Sequence, residues 1–219
     1  MRQPSLPVAV LLSVIVLGAC GSNRPVAGEP EPYEGTELSG AAPDFSLADQ
    51  DGATIQLSEL NGRVVVLAFL DPHCTDICPL TAQHVRSAST ALGDQAPVDF
   101  LAINVNDGFS EEADIAQASA EWGMSDVPNW HFLTGTPEEL RSARDAWGMF
   151  AEASKPEHPD QVVHSPGIYI IGPDGQRRWY LSTAFDSRLP LGDMIVERVR
   201  DLLDEPRPSS WALHSATGS

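Results

Sequence analysis

The chain has 219 residues, with 13 Lys and Arg against 31 Asp and Glu and a formal net charge of −18. So acidic a surface repels the phosphates of nucleic acids and of anionic lipid headgroups, which excludes nucleic acid as a partner and means that charge does not hold the chain on a membrane. The length and a hydrophobic content of 42% suit one domain with a sizeable core, and no internal repeat is present.

Met1 to Ala19 carries one basic residue, Arg2, then an apolar run from Leu6 to Leu17 too short to span a bilayer, then small residues. This is the pattern of a secretory signal. Leu17-Gly18-Ala19-Cys20 resembles a bacterial lipobox, in which cleavage precedes the cysteine and the thiol receives a diacylglyceryl group. Residues 1–19 therefore read as a lipoprotein signal peptide and Cys20 as the lipidation site, with an ordinary export signal cleaved nearby as the alternative. Two or more acyl chains anchor a protein stably on a membrane without crossing it. Either route leaves the folded part extracytoplasmic, where disulfides persist. Residues 20–42, rich in Gly, Pro and Glu without apolar periodicity, read as a lipidated tether.

From 43 to 204 strand and helix signals alternate. Phe45-Ser46-Leu47 and Thr54-Ile55-Gln56-Leu57 flank Asp51-Gly52, a hairpin signal, and Val64 to Leu70 is a continuous apolar run expected of a strand buried on both faces. Pro79 at a first helical position predicts a helix to Gly93. Val98 to Val105 reads as a second buried strand, Glu111 to Trp122 as a helix with acids in its first turn, and Trp130 to Leu133 as a short strand. Thr136-Pro137-Glu138-Glu139 combines an N-cap, a Pro at the first helical position and a capping-box Glu, which predicts a helix to about Phe150. Ile168 to Ile171 and Arg178 to Leu181 bracket the turn Gly172-Pro173-Asp174-Gly175, and a last helix spans Leu191 to Leu203. Residues 205–219 read as a C-terminal tail in which Trp211 is the one bulky aromatic. This order predicts an α/β fold, a thioredoxin-like three-layer sandwich with a central mixed sheet and an N-terminal β-hairpin.

In such a sheet an active site belongs at the carboxyl end of the strands. Cys74 and Cys78, the only cysteines after Cys20, lie just beyond Leu70 and so at that end. A Cys-x-x-Cys pair is the usual dithiol redox arrangement; Cys-x-x-x-Cys makes a wider loop, and Pro79 places Cys78 at or just before the helix start. A positive helix end favours thiolates, which Asp71 and Asp76 oppose. Two thiolates either exchange with disulfides or hold a soft ion such as Cu(I), leaving a coordination position for an imidazole. Among the histidines, His164 stands out, in a Val162-Val163-His164-Ser165-Pro166 loop before the strand at Ile168 that can lie beside the cysteine loop. His73 adjoins Cys74 but its side chain is expected to point elsewhere, and His84, His131 and His158 read as surface or packing residues. Asp71 and Asp76 read first as turn or capping groups.

The cysteine loop ending in Cys78-Pro79, the segment Phe132-Leu133-Thr134-Gly135-Thr136-Pro137-Glu138-Glu139-Leu140, and His164-Ser165 followed by Ile168-Tyr169-Ile170-Ile171-Gly172-Pro173-Asp174-Gly175 resemble the Sco/SenC family in the right order. The resemblance covers Ala42 to Leu203. It implies a membrane-tethered, thioredoxin-like protein that binds copper through Cys74, Cys78 and His164 and helps to build the binuclear copper centre of cytochrome c oxidase, whose copper subunit or another copper-accepting protein is then the partner. Two departures stand out: Asn106-Asp107-Gly108-Phe109-Ser110 replaces an Asp-Pro-rich segment, and Val163 stands where an acidic residue often precedes the histidine. The alternative function is a thiol–disulfide oxidoreductase that keeps client cysteines reduced for metallation, with Cys74 attacking and Cys78 resolving. A structural Cys74–Cys78 disulfide closes too short a loop to contribute much stability.

Overall fold

The computed structural model describes residues 33–155, 158–183 and 189–205. Residues 1–19, expected as a signal peptide, Cys20, and most of the expected C-terminal tail, Trp211 included, lie outside the described residues. The elements are β1 (Thr36–Glu37), β2 (Ser46–Ala48), β3 (Thr54–Gln56), β4 (Val64–Leu70), α1 (Ile77–Leu92), β5 (Val98–Asn104), α2 (Glu112–Glu121), β6 (Trp130–Leu133), α3 (Pro137–Ala146), β7 (Ala151–Lys155), β8 (His158–His164), β9 (Ile168–Ile171), β10 (Arg177–Leu181) and α4 (Leu191–Asp204). None of these helices is long and apolar enough to cross a membrane.

β4 and β5 are buried along their whole length, as unbroken apolar runs require when both faces of a sheet are covered. They pair in parallel, with Val64 opposite Val98 and Leu70 opposite Asn104. The main sheet runs β1-β10-β9-β4-β5-β6, mixed because β9 meets β4 antiparallel. Alternate β4 side chains face two cores. Val64, Val66, Ala68 and Leu70 pack with residues of α1, α2 and α4, while Val65, Leu67 and Phe69 pack with Leu140, Ala143 and Trp147 beneath α3 and with Phe45 and Leu47 of the hairpin. Three layers result, as the alternation of strands and helices predicts. The N-terminal hairpin is β2 against β3, with Leu47 opposite Ile55 and Gly52 at φ +76° in its turn.

Four boundaries differ from the sequence expectation, each for a local reason. α1 starts at Ile77 rather than at Pro79, because the Asp76 carboxylate accepts the Ile77 N–H at 2.6 Å and caps the helix earlier. α3 forms its capping box, with the Thr136 N–H donating to Glu139 at 2.8 Å, but ends at Ala146. There Gly148, at φ +63°, turns the chain out of the helix. The following segment forms a second hairpin, β7 against β8, in place of the expected loop. Residues 36–42, expected as tether, instead join the sheet edge: Thr36 pairs with Tyr180, and Ala42 donates to the Gly175 carbonyl at 2.9 Å.

The connection from β8 to β9 is tightly held. Gly167 has φ +149°, and a Cβ there would lie 2.5 Å from the Tyr180 ring, whose hydroxyl donates to the Pro166 carbonyl. Gly167→Ala is expected to lower unfolding free energy by about 1–3 kcal/mol. Chemical denaturation of the purified domain checks this, and an unchanged midpoint contradicts it.

Candidate metal centre

The chain turns as soon as β4 ends. Asp71, only 4% exposed, accepts the His73 N–H on its carboxylate at 2.9 Å, and its carbonyl accepts the Cys74 N–H at 3.1 Å. Cys78 then falls inside the first turn of α1, not before it. Pro79 occupies the next position, where a missing N–H costs nothing because first-turn amides have no intrahelical acceptor. Cys78 is completely buried, Cys74 half-buried, and both are free thiols.

The two sulfurs are unlike. The Cys78 N–H points at the Cys74 sulfur at 3.4 Å, and the Cys74 thiol in turn donates to the Asp76 carboxylate at 3.1 Å. Hydrogen bonding from the Cys78 thiol holds the Cys74 thiol down at about 7, against the effect of burial, with help from backbone N–H groups of the helix start. The Asp76 carboxylate works in the other direction. Cys78 is pushed far up by that same bond to Cys74 and by burial. Near pH 7 the half-buried Cys74 is thus divided about equally between thiol and thiolate, while the buried Cys78 stays a thiol.

His164 closes β8, opposite Ala151 of β7, rather than lying in a loop. Its Nδ1 is 3.1 Å from the Ser165 carbonyl oxygen, which can only accept, so Nδ1 carries the proton. Nε2 is left with its lone pair, 3.7 Å from the Cys78 sulfur. Burial holds the imidazole below its usual pKa, which keeps it neutral and able to ligate at pH 7. The residues expected to form the site thus stand in series, Cys74 to Cys78 to His164. Among the described residues no three His, Cys, Asp or Glu side chains already stand together as a metal cage. The cavity that Cys78 and His164 share with Phe69, Leu70 and Thr81 measures about 10 Å³, room for one atom-sized guest. Organic ligands need pockets of roughly 300–1,000 Å³.

A second group of residues supports the cysteine loop, and sequence patterns did not reveal its pairing. The Asn106 side-chain amide donates to Asp71 at 3.0 Å and through its Oδ1 accepts the Gly108 N–H at 3.0 Å, and the Asn104 side chain donates to the Phe109 carbonyl at 2.7 Å. The Phe109 ring stacks on His73 with centroids 3.3 Å apart, which gives His73 a packing role. Arg144 of α3 grips Asp107 through two bonds at 2.7 and 3.1 Å. His131 pairs with Asp49 at 2.8 Å, and His84 lines a groove beside Leu80. The side chain of His158 lies outside the described residues.

A thioredoxin-like sandwich with two cysteines after its first buried strand and a histidine before the antiparallel one defines a class of thiol and metal proteins. The family model for SCO1/SenC matches residues 34–196, and the chain belongs to that family. It is 28% identical over 169 residues to the SCO1 protein homolog of Bacillus subtilis, covering 75% of this chain and 81% of that one. It is 32% identical over 163 residues to the mitochondrial SCO2 homolog of Bos taurus, covering 72% of this chain but only 58% of that longer protein. Among solved structures it resembles a SCO1/SenC family lipoprotein of Bacillus anthracis (TM-score 0.64, 22% identity, 77% of this chain and 98% of that one). It also resembles yeast Sco1 with copper bound (TM-score 0.63, 21% identity, 84% and 96%). BsSco, a member of the Sco family of cytochrome c oxidase assembly proteins in which a disulfide switch was identified, has TM-score 0.61 and 26% identity over 77% of this chain and 96% of its own.

The asymmetry of the two sulfurs is directly measurable. In the anaerobically reduced protein, alkylation of Cys74 by iodoacetamide is expected to rise about tenfold from pH 6 to pH 8, following a thiolate with its midpoint near 7. Cys78 stays unreacted in the native state. Asp76→Asn removes the carboxylate that opposes ionisation and moves the Cys74 midpoint down; a midpoint unchanged from that of free cysteine contradicts this geometry.

Proposed function

We propose that this chain is an extracytoplasmic copper metallochaperone, held on a membrane through lipid on Cys20, that carries one Cu(I) ion on Cys74, Cys78 and His164. It passes the ion to a copper-accepting protein such as the copper subunit of cytochrome c oxidase. The observation that carries the reading is the neutral His164 Nε2 lone pair directed at the buried Cys78 sulfur at 3.7 Å, beside a second sulfur already poised as thiolate. Two soft sulfurs and one imidazole suit Cu(I), a cavity of about 10 Å³ suits an ion and not an organic substrate, and a half-buried Cys74 gives an acceptor's ligand a way in. Copper in yeast Sco1, and the oxidase-assembly role stated for the BsSco family, agree with this reading. The lipoprotein described from Bacillus anthracis agrees with the anchor.

Each ligand has a distinct part. Cys74 makes first contact because it is accessible and ionised near pH 7. Cys78 enters as a thiol and gives up its proton on binding, so copper binds more tightly as pH rises. His164 binds without releasing a proton and, fixed through Nδ1 by Ser165, completes a three-coordinate site.

A second reading, thiol–disulfide exchange with a client, is favoured by one observation: a low-pKa exposed sulfur beside a buried one is the arrangement of an attacking and a resolving cysteine. The Cys74 thiolate would attack a client disulfide, and Cys78 would then displace the client thiol, leaving a Cys74–Cys78 disulfide and a reduced client.

Copper titration of the reduced protein under anaerobic conditions is expected to give one Cu(I) per chain. Cys74→Ser and Cys78→Ser abolish tight binding, and His164→Ala weakens it by about 10–100-fold. Unchanged affinity in His164→Ala removes that residue from the site. Disulfide exchange with no copper uptake favours the second reading instead.

A further inference from the structure

The segment Asn106-Asp107-Gly108-Phe109-Ser110, which departs from the Asp-Pro-rich pattern of the family, stands between α3 and the cysteine loop. On one side it meets Asp71, whose main chain touches both cysteines: its carbonyl accepts the Cys74 N–H at 3.1 Å, and its N–H donates to the Cys78 sulfur. The Asp71 carboxylate is buried, and its Oδ1 accepts the His73 N–H at 2.9 Å and Asn106 Nδ2 at 3.0 Å. With the Phe109 ring on His73, the turn that carries Cys74 is held from outside at two of its residues.

On the other side is Arg144 of α3. Both of its Nη atoms donate to the Asp107 carboxylate, and its side chain is only 7% exposed against 36% for Asp107. A guanidinium so far out of water, paired at two points, has one favourable position. The segment between these two anchors is stiffened by its own bonds. The Asn106 N–H donates to Asn104 Oδ1 at 2.8 Å, Asn104 Nδ2 to the Phe109 carbonyl at 2.7 Å, and the Phe109 N–H to the Asn106 carbonyl at 3.2 Å. A displacement at Asp107 is therefore passed on to Asn106 and Phe109 rather than absorbed. The Arg144 carbonyl also accepts the Met149 N–H at 2.8 Å, two residues before the Ala151 that faces His164. One residue of α3 thus stands at the head of both ligand-bearing segments, its side chain serving the cysteines and its main chain the histidine.

We propose that Arg144 is a positioning residue for the two sulfurs: through Asp107 it holds the 106–109 turn against Asp71 and His73, and so keeps the Cys74 sulfur over the Cys78 N–H, where both sulfurs reach one ion. The claim rests on the copper-carrying reading and names a residue that governs its site without touching the ion. The same turn sets how readily the two sulfurs meet each other. Arg144 therefore also governs closure of a Cys74–Cys78 disulfide, a property that needs no copper.

The test takes two readings on the full chain: Cu(I) affinity without oxygen, and equilibrium with glutathione. In the second, the dithiol gives two electrons and two protons to oxidised glutathione, so that the Cys74–Cys78 disulfide and two reduced glutathiones form. Arg144→Lys keeps the charge and loses the planar fork, and both the affinity and the constant for disulfide formation are expected to fall about three- to tenfold. Asp107→Asn, at the more exposed end of the pair, is expected to give the same two losses and tests the same contact if Arg144→Lys does not fold. The double variant is expected to lose no more than the worse single one, because the two residues act through one contact. Arg63→Lys is the control for a merely structural role. It weakens another ion pair to a buried carboxylate, Arg63 to Asp99 at 2.6 Å, at the opposite end of β4, and is expected to leave both readings at wild-type values. Wild-type readings in Arg144→Lys and Asp107→Asn overturn the proposal, as do equal losses in Arg63→Lys. Failure of the wild type to take up Cu(I) removes the copper-carrying reading instead, and the glutathione equilibrium then decides the positioning claim alone.

Discussion

The pairing of β4 with β5 on one side and β9 on the other is the constraint on which the site depends. β4, like β5, has both faces and both edges covered, and its register with β9 puts Ala68 opposite Ile168. Because β9 runs the other way, the carboxyl end of β4 and the start of β9 meet at one edge of the sheet. The first delivers Cys74 and Cys78; the second is preceded by His164. Residues 86 apart in sequence thus come within 3.7 Å without any element built only for the purpose. The tight Pro166–Gly167 connection, held against Tyr180, fixes how far His164 stands from β9.

Within that frame the chemistry follows from unequal burial. One sulfur lies under the first turn of α1 among Leu70, Ala82 and Ile168, the other on the loop above it, touched by amide N–H groups. Each shapes the other: the buried thiol donates and so makes the exposed one acidic, and the exposed thiolate holds the buried proton in place. A dithiol in this condition is nucleophilic at one atom and protected at the other, which serves metal capture and disulfide exchange alike. His164 does not by itself separate the two functions: a neutral imidazole fixed through Nδ1 leaves at the buried sulfur a lone pair that suits either a soft ion or removal of the Cys78 proton when that sulfur resolves a mixed disulfide.

Much of this was legible in the sequence because the signals were local. The apolar runs of β4 and β5, the Asp51-Gly52 turn, the Thr136 capping box and the turn at Gly172-Pro173-Asp174-Gly175 each specify their own conformation. The start of α1 was misplaced because two signals competed there: Pro79 marks a first turn but not which residue of it, and the capping Asp76 decided the matter. The hairpin β7–β8 escaped because Ala151-Glu152-Ala153-Ser154-Lys155 and His158-Pro159-Asp160-Gln161 have neither apolar alternation nor a marked turn. β1 escaped because two residues on a sheet edge carry no periodicity. The support of the cysteine loop by Asn106 and Phe109 was illegible for a different reason: a hydrogen bond between residues 35 apart on adjacent strand ends leaves no trace in either segment.

The central claim is that the two cysteines and His164 converge on one ion. X-ray absorption at the copper K edge of the Cu(I)-loaded protein, compared with the loaded His164→Ala variant, tests it most directly. The account predicts two sulfur scatterers and one nitrogen scatterer in the wild type, with the nitrogen lost in the variant. Identical spectra with two sulfurs alone would contradict it.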